Sequence, residues 1–272
     1  MKYHAALPEH NDNVSDGHPL KEFLLLLGAA AGLLIALYLV LGFFVDYAVD
    51  YVSPETEVRI FAAAGMLWEP GGGPDTEQQQ QSLQTLIDQL AICLDTAYPI
   101  TLRIAESEQV NAFAVPGGTV VLNSGLLDKV RSENGVAFVL AHELAHFQNR
   151  DHLRSLGRSI VLLAMLAVLT GADADLSRVL APISDYENAQ FSQDRESAAD
   201  ATALRALNCH YGHVGGATEL FEVIATPDDD FDFALTHYFS SHPEARQRVD
   251  DLRQLSESLG FDRANNVELR VP

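Results

Sequence analysis

The chain has 272 residues, of which 47% are hydrophobic, and its formal net charge is −21. This length allows one sizeable folded domain together with an additional element. The excess of acidic residues argues against nucleic acid as a partner, because an acidic surface cannot release counterions from phosphates. The charge by itself indicates no particular function.

The N-terminal part of the chain reads as a membrane anchor. Residues 1–22 are polar and are predicted to form a disordered tail, whereas residues 23–45 contain no charged side chain. A helix of that length spans a hydrocarbon core of about 30 Å and exceeds the apolar part of a cleavable signal peptide. We therefore predict a single-pass anchor in contact with lipid. Lys2 and Lys21 precede it, which favours a cytoplasmic N-terminus and a large domain across the membrane.

The remaining chain divides into a connecting region and a main domain. Residues 46–81 end in a linker rich in Gly, Pro and Gln, and residues 82–272 are predicted to form the domain. Apolar spacing after residue 82 predicts a helix, and the stretch ITLRIAE predicts a strand. Two extended runs joined by Pro116-Gly117-Gly118 predict a hairpin. We therefore expect an α+β fold, mainly helical, with a small β-sheet.

Two further features leave alternatives open. The apolar run at 159–172 is short for a membrane crossing and is predicted to be a buried core helix, with an interfacial or re-entrant segment as the alternative. Cys93 and Cys209 are the two cysteines of the chain. They could form a disulfide in an oxidising compartment or remain two buried thiols, because their spacing says nothing about geometry.

The chemistry-bearing motif is His142-Glu143-Leu144-Ala145-His146, an HExxH pattern on a predicted helix whose start Ser132 can cap. Residues four apart on a helix lie on one face, so the two imidazoles can bind one metal ion. Glu143 lies beside them, where its carboxylate can reach a water without binding the metal. The pattern indicates a zinc-dependent hydrolase.

A catalytic zinc site needs a third protein ligand and an open position. His152 has the spacing of the metzincin ligand, but Asn149 stands where that pattern needs glycine. On a continuing helix, His152 would face away from the metal and lie exposed near the helix end. Glu196 is the better candidate, with Asp200 one turn further on the same helical face, where it could bond a ligand imidazole or the partner loop. Composition alone favours the alternative, in which these acidic residues form a solvated helix face.

Four ordered stretches resemble the membrane-associated gluzincin family of zinc metallopeptidases, of the HtpX and CAAX prenyl endopeptidase type. They are NAFAVPGG at 111–118, AHELAH at 141–146, SQDRESAAD at 192–200 and SHPEARQR at 241–248. The resemblance implies a zincin-like peptidase domain. One departure is Gln193, which replaces the arginine usual after the serine and puts an ion pair there in doubt.

The resemblance also implies roles for individual residues. One zinc ion per chain is held by His142, His146 and Glu196, Asp200 orients a ligand, and Arg248 is a structural clamp. His242 is expected near the metal as a further catalytic residue, where it either polarises the substrate carbonyl or occupies the open zinc position in a resting state. Substrate backbone is expected along an edge strand formed by Asn111, Ala112, Phe113, Ala114 and Val115.

The predicted activity is hydrolysis of peptide bonds, with unfolded or misfolded envelope proteins as substrates in quality control. The expected location is a bacterial inner membrane, with the catalytic domain on the periplasmic side. The alternative is a zinc-stabilised, membrane-bound holdase or adaptor with little proteolysis, although Glu143 would then have no task. The sequence does not predict the oligomeric state.

Overall fold

The computed structural model describes residues 18–63, 74–96, 98–170, 193–225 and 245–263. In these ranges the chain is mainly helical with a small sheet, which confirms the predicted fold class. The helices in chain order are α1 (Pro19–Val49), α2 (Pro54–Ala63), α3 (Pro74–Cys93), α4 (Ser124–Lys129), α5 (Glu133–Gln148), α6 (Asp151–Thr170), α7 (Gln193–Tyr211), α8 (Glu219–Ala225) and α9 (Ala245–Ser258). The strands are β1 (Thr101–Ala105), β2 (Ala112–Val115) and β3 (Thr119–Asn123). Helix α3 thus begins inside the segment predicted as a linker.

The three strands form a sheet in the order β1-β3-β2. Strand β1 pairs with β3 in parallel, and β2 pairs with β3 in antiparallel orientation, so β2 lies at an edge of this sheet. Gly117 and Gly118 have φ angles of 97° and 84°, the left-handed region that glycine adopts without strain. The predicted Pro-Gly-Gly hairpin turn is therefore confirmed.

Helix α5 lies at the centre of the domain. It is buried from Asn134 to Phe147 and packs against α3, α6, α7 and β2. At its start, Ser132 occupies the N-cap and its hydroxyl accepts a hydrogen bond from the Gly135 amide at 3.0 Å. Glu219 of α8 in turn accepts from the Ser132 amide at 3.2 Å. This cap fixes the residue at which α5 begins, and therefore the helix face on which each later residue of α5 lies.

Helices α3 and α7 are joined covalently. Cys93 and Cys209 form a disulfide with their Cα atoms 5.9 Å apart. Of the two alternatives that the sequence left open, the structure shows the bonded one. The cross-link ties the far end of α7 to the end of α3, and both helices also pack against α5.

The prediction of a buried core helix at 159–172 was wrong for the part that the structure describes. Helix α6 extends to Thr170, and its outer half exposes Leu162, Leu166, Val168 and Leu169. Its inner half packs against α1, whose apolar surface is itself largely exposed. By length and composition, both α1 and α6 are apolar enough to cross a membrane. Core packing cannot explain so exposed an apolar surface.

Helix α2 is held to the domain by Glu57. Its buried carboxylate accepts hydrogen bonds from the Tyr98 hydroxyl at 2.5 Å, the Gly117 amide at 2.8 Å and His152 Nε2 at 2.9 Å. Arg150 donates a fourth at 3.2 Å. Burial alone raises the pKa of Glu57, but the hydrogen bonds from His152 and Tyr98 outweigh it and lower that pKa. Glu57 is therefore ionised at neutral pH and joins α2 to the hairpin turn and to the start of α6.

Candidate metal centre

Helix α5 brings the two histidines of the HExxH pattern onto one face. His142 and His146 are one turn apart, and their Nε2 atoms lie 3.1 Å from each other. Both side chains are buried. Two imidazole nitrogens therefore converge on one point inside the protein.

Glu196, near the start of α7, completes this group. Its Oε2 lies 3.4 Å from His142 Nε2, and its Oε1 lies 3.4 Å from His146 Nε2. Ligand atoms about 2.0–2.1 Å from a tetrahedral zinc ion are about 3.3 Å apart. The spacing of the three donors therefore fits one ion of that size, and all three are buried.

The other nitrogen of each imidazole contacts a carboxylate. His142 Nδ1 lies 3.0 Å from Asp200 Oδ1, and His146 Nδ1 lies 3.0 Å from Asp151 Oδ2. Because an ionised carboxylate only accepts hydrogen bonds, each Nδ1 carries the proton and each Nε2 presents its lone pair to the centre. Lone pairs this close repel each other unless a cation or a proton lies between them.

Asp151 contacts the candidate centre but was not predicted from the sequence. It opens α6 after a turn in which Arg150 has a φ of 59°, so α5 does not continue into α6. Asp151 also pairs with Arg195 of α7 at 3.3 Å. The sequence left in doubt whether residue 193, a glutamine, could take part in an ion pair. Arg195 of the same segment forms the ion pair with Asp151. An acidic residue shortly after the second histidine was the available signal.

The electrostatic potential of the centre favours positive charge. Burial alone lowers the pKa of an imidazole, yet the hydrogen bonds with Asp151 and Glu196 outweigh it and raise the pKa of His146 to about 9. The pKa of His142 is also raised, because Asp200 and Glu196 oppose the effect of burial. A divalent cation can take the place of such protons, which is the usual competition at a metal site.

Arg248 of α9 holds the two carboxylates of α7. Its guanidinium donates to Glu196 Oε2 at 2.8 Å and to Asp200 Oδ2 at 2.9 Å, and its Cζ lies 4.5 Å from the centre of the Phe221 ring. Burial raises the pKa of Asp200, but the charge of Arg248 and the hydrogen bond with His142 act together with their other contributions to outweigh it and lower that pKa. Asp200 therefore stays ionised and able to accept from His142.

The remaining predicted catalytic residues have different positions. Glu143 is buried on α5, near enough to the centre for its charge to contribute to the raised pKa of His146. His242 lies outside the described residues. The expectation that His152 lies exposed near a helix end was wrong, because it is buried and bonded to Glu57. His152 is not among the three residues whose donor atoms converge.

The predicted substrate strand coincides with β2 and the residue before it. The Asn123 amide donates to the Asn111 carbonyl at 3.0 Å, so backbone groups at alternate positions from Asn111 point to β3. Those of Ala112 and Ala114 then point to the outer edge, where the Ala112 amide donates to Asn111 Oδ1 at 3.0 Å. Among the described residues, Asn111 Nδ2 is buried without a hydrogen-bond acceptor.

Several known metalloproteases are similar to this chain. Over 160 residues the chain is 29% identical to "Metalloprotease YcaL" of Escherichia coli, covering 57% of this chain and 61% of that protein. It is 27% identical over 262 residues to a "Protease HtpX homolog" of Salinibacter ruber, covering 85% and 90%. It is also 28% identical over 150 residues to "Mitochondrial metalloendopeptidase OMA1" of Schizosaccharomyces pombe, covering 54% and 44%.

The family signature covers the whole of the candidate centre. Residues 77–256 match that of Peptidase family M48, and this range contains the HExxH helix, Glu196, Asp200 and Arg248. The converging donors and their partners on α5, α6, α7 and α9 therefore lie in the part of the chain that carries the match. The chain belongs to Peptidase family M48, a family of metalloproteases.

Proposed function

We propose that this protein is a membrane-anchored zinc endopeptidase. The observation that carries the proposal is the convergence of His142 Nε2, His146 Nε2 and a Glu196 carboxylate within 3.4 Å of one another. Two imidazoles and one carboxylate are the donor set of catalytic zinc sites that keep one position open. When bound there, zinc acidifies a water molecule and polarises the scissile carbonyl.

The residues of this chain supply the proton transfers and the alignment. Glu143 accepts the proton of the attacking water and delivers it to the leaving amine. Asp200 and Asp151 keep the Nδ1 protons in place, so that both imidazoles stay aligned. Arg248 balances the charge of the two α7 carboxylates. His242 remains proposed as a further group that stabilises negative charge on the substrate oxygen.

We further propose that substrate backbone pairs with the outer edge of β2. The outward backbone groups of Ala112 and Ala114 support this. So does the side-chain amide of Asn111, whose Nδ2 can donate a hydrogen bond to a substrate carbonyl. Pairing through backbone groups selects extended, unfolded chains rather than a particular sequence. Residues 112–115 are each at most 5% exposed, so pairing requires that this edge become accessible to the peptide.

The proposed location is the bacterial inner membrane, with α1 as a single anchor and the catalytic domain on the periplasmic side. The disulfide between Cys93 and Cys209 supports an oxidising compartment. The lysines before the anchor support the same orientation. In that setting the substrates would be misfolded or unassembled envelope proteins.

The test pairs metal analysis with cleavage of a chemically unfolded, labelled protein, using the full chain in detergent. Glu143→Gln is compared with wild type and with Glu257→Gln, whose side chain is exposed and pairs with Arg263. We expect about one zinc per chain in all three and cleavage in wild type and Glu257→Gln only.

Two results would contradict parts of the proposal. Near-full cleavage by Glu143→Gln would mean that another group is the base. Zinc in all three proteins without cleavage in any would favour the holdase alternative over the peptidase.

A further inference from the structure

Asp151, which contacts His146, lies between two residues that bind the same carboxylate. Arg150 donates to Glu57 Oε2 at 3.2 Å, and His152 Nε2 lies 2.9 Å from Glu57 Oε1. One side chain of α2 therefore holds both chain neighbours of Asp151. A shift of the Asp151 backbone would strain one or both of these contacts.

The turn between α5 and α6 is one that needs such support. Arg150 has a φ of 59°, a conformation that is unfavourable for residues other than glycine. Besides its bond to Glu57, Arg150 donates to the carbonyl of Val52, between α1 and α2. His152 Nδ1 lies 3.4 Å from the carbonyl oxygen of His146 in the last turn of α5. Contacts with the segment around α2 therefore hold the turn, and Glu57 is the group that its two sides share.

Glu57 can hold the turn because the domain fixes its carboxylate from other directions. The Tyr98 hydroxyl donates to it at 2.5 Å and the Gly117 amide at 2.8 Å. On the same helix, Phe61 belongs to a buried apolar cluster that includes Phe113 of β2. The Glu57 side chain is itself buried, so water does not compete for its hydrogen bonds.

The position of Asp151 matters for the metal centre because both of its carboxylate oxygens are bound. Oδ2 lies 3.0 Å from His146 Nδ1, and Oδ1 pairs with Arg195 at 3.3 Å. A carboxylate fixed in this way keeps the His146 ring oriented with Nε2 towards Glu196. Glu57 is therefore connected to a candidate metal ligand through the turn and Asp151.

We propose that Glu57 is a positioning residue of the metal centre, because it holds the turn that directs Asp151 to His146. This inference rests on the proposed zinc endopeptidase function. Residue 57 precedes the range 77–256 that matches the family, so the support comes from outside that range. Helix α2 begins at Pro54, four residues after α1 ends at Val49. The segment that joins the anchor to the domain thus also shapes the centre.

The test is a double-mutant cycle on zinc affinity, measured by chelator competition with the full chain in detergent. The four proteins are wild type, Glu57→Gln, Asp151→Ala and the variant that combines both substitutions. Leu83→Ala is the control for a general loss of stability, because it leaves a cavity in the main core on α3. Circular dichroism establishes that each protein is folded before its titration.

We expect Glu57→Gln to weaken zinc binding about 10-fold when Asp151 is present, the lower end of the effect of groups that orient a metal ligand. In the Asp151→Ala background the same substitution should weaken binding less than about 2-fold, because the connection to His146 is already broken. A purely structural role of Glu57 would lower affinity equally in both backgrounds. Leu83→Ala should leave zinc affinity unchanged.

Three results would overturn the inference. They are an equal loss of affinity on Glu57→Gln in both backgrounds, a loss below about 2-fold in the presence of Asp151, and an equal loss in Leu83→Ala. If wild type binds no zinc, the proposed function itself fails, and the inference fails with it.

A matched pair of substitutions at His152 provides a second measurement that leaves Asp151 in place. His152→Gln keeps an amide N–H that can donate to Glu57, whereas His152→Leu removes the donor. We expect His152→Leu to weaken zinc binding and His152→Gln to weaken it less. Equal losses would mean that the bond to Glu57 does not position the centre.

Discussion

Replacing Glu57 by glutamine removes a buried negative charge that accepts four hydrogen bonds while leaving the size of the side chain unchanged. Its partners are Tyr98, Gly117, Arg150 and His152. Breaking a buried charge pair by changing one partner typically costs about 3–5 kcal/mol, because the remaining charge is left uncompensated. We therefore expect Glu57→Gln to lower the free energy of unfolding by about 3 kcal/mol at pH 7.

The pH dependence gives the same prediction a second check. Burial alone raises the pKa of Glu57, but the hydrogen bonds from His152 and Tyr98 lower it below its ordinary value of 4.5. A carboxyl whose pKa is lower in the folded state stabilises the fold above its unfolded pKa, and this contribution is lost as the pH falls through the folded pKa. The difference in the free energy of unfolding between wild type and Glu57→Gln should therefore be largest at pH 7 and should shrink below about pH 4.

The assay is urea unfolding of the full chain in detergent, followed by far-ultraviolet circular dichroism at a fixed zinc concentration. Zinc is fixed because a ligand that binds the folded state changes the apparent stability. Glu257→Gln is the matched control, since its exposed pair with Arg263 contributes at most about 1 kcal/mol. The reasoning would be refuted if Glu57→Gln lowered the free energy of unfolding by less than about 1 kcal/mol. It would also be refuted if the difference in this free energy from wild type grew as the pH fell towards 4.

Three other substitutions test the candidate centre and its support. Asp151→Asn should weaken zinc binding about 10–100-fold in a chelator competition, whereas the exposed Asp250→Asn should not change it. Replacing Cys93 and Cys209 by serine removes a cross-link over 116 residues and should lower the free energy of unfolding by up to about 5 kcal/mol in urea. Arg248→Met leaves two buried carboxylates without their cation, so the melting temperature should fall by several degrees while zinc remains bound. An unchanged melting temperature would contradict the role of Arg248 in balancing these carboxylates.

Local patterns were enough to predict the elements that carry the site. The spacing of His142 and His146 fixes their common face on α5, because a helix repeats every 3.6 residues. The Pro-Gly-Gly turn predicted the β2–β3 hairpin, since only glycine adopts both left-handed conformations without strain. Both features depend on neighbours in the sequence and need no knowledge of the rest of the chain.

Features that depend on packing partners were mispredicted or left open. The run at 159–172 reads as a core helix by composition, but only the packing of α6 along α1 shows that its outer half is exposed. His152 was expected to be exposed, because a helix continuing from α5 would carry it away from the domain. The left-handed turn at Arg150 starts a new helix instead, and directs His152 inward to Glu57.

By itself, the sequence determined the fold class, the candidate metal-binding helix and, with the family resemblance, Glu196 as the candidate third ligand. The tertiary structure alone decided that Asp200 contacts His142 and Asp151 contacts His146. It also decided that Arg248 joins Glu196 to Asp200 and that Glu57 ties α2 to the domain. The physical reason is that helical periodicity is a short-range property. Hydrogen bonds between side chains far apart in the sequence depend on how the helices pack.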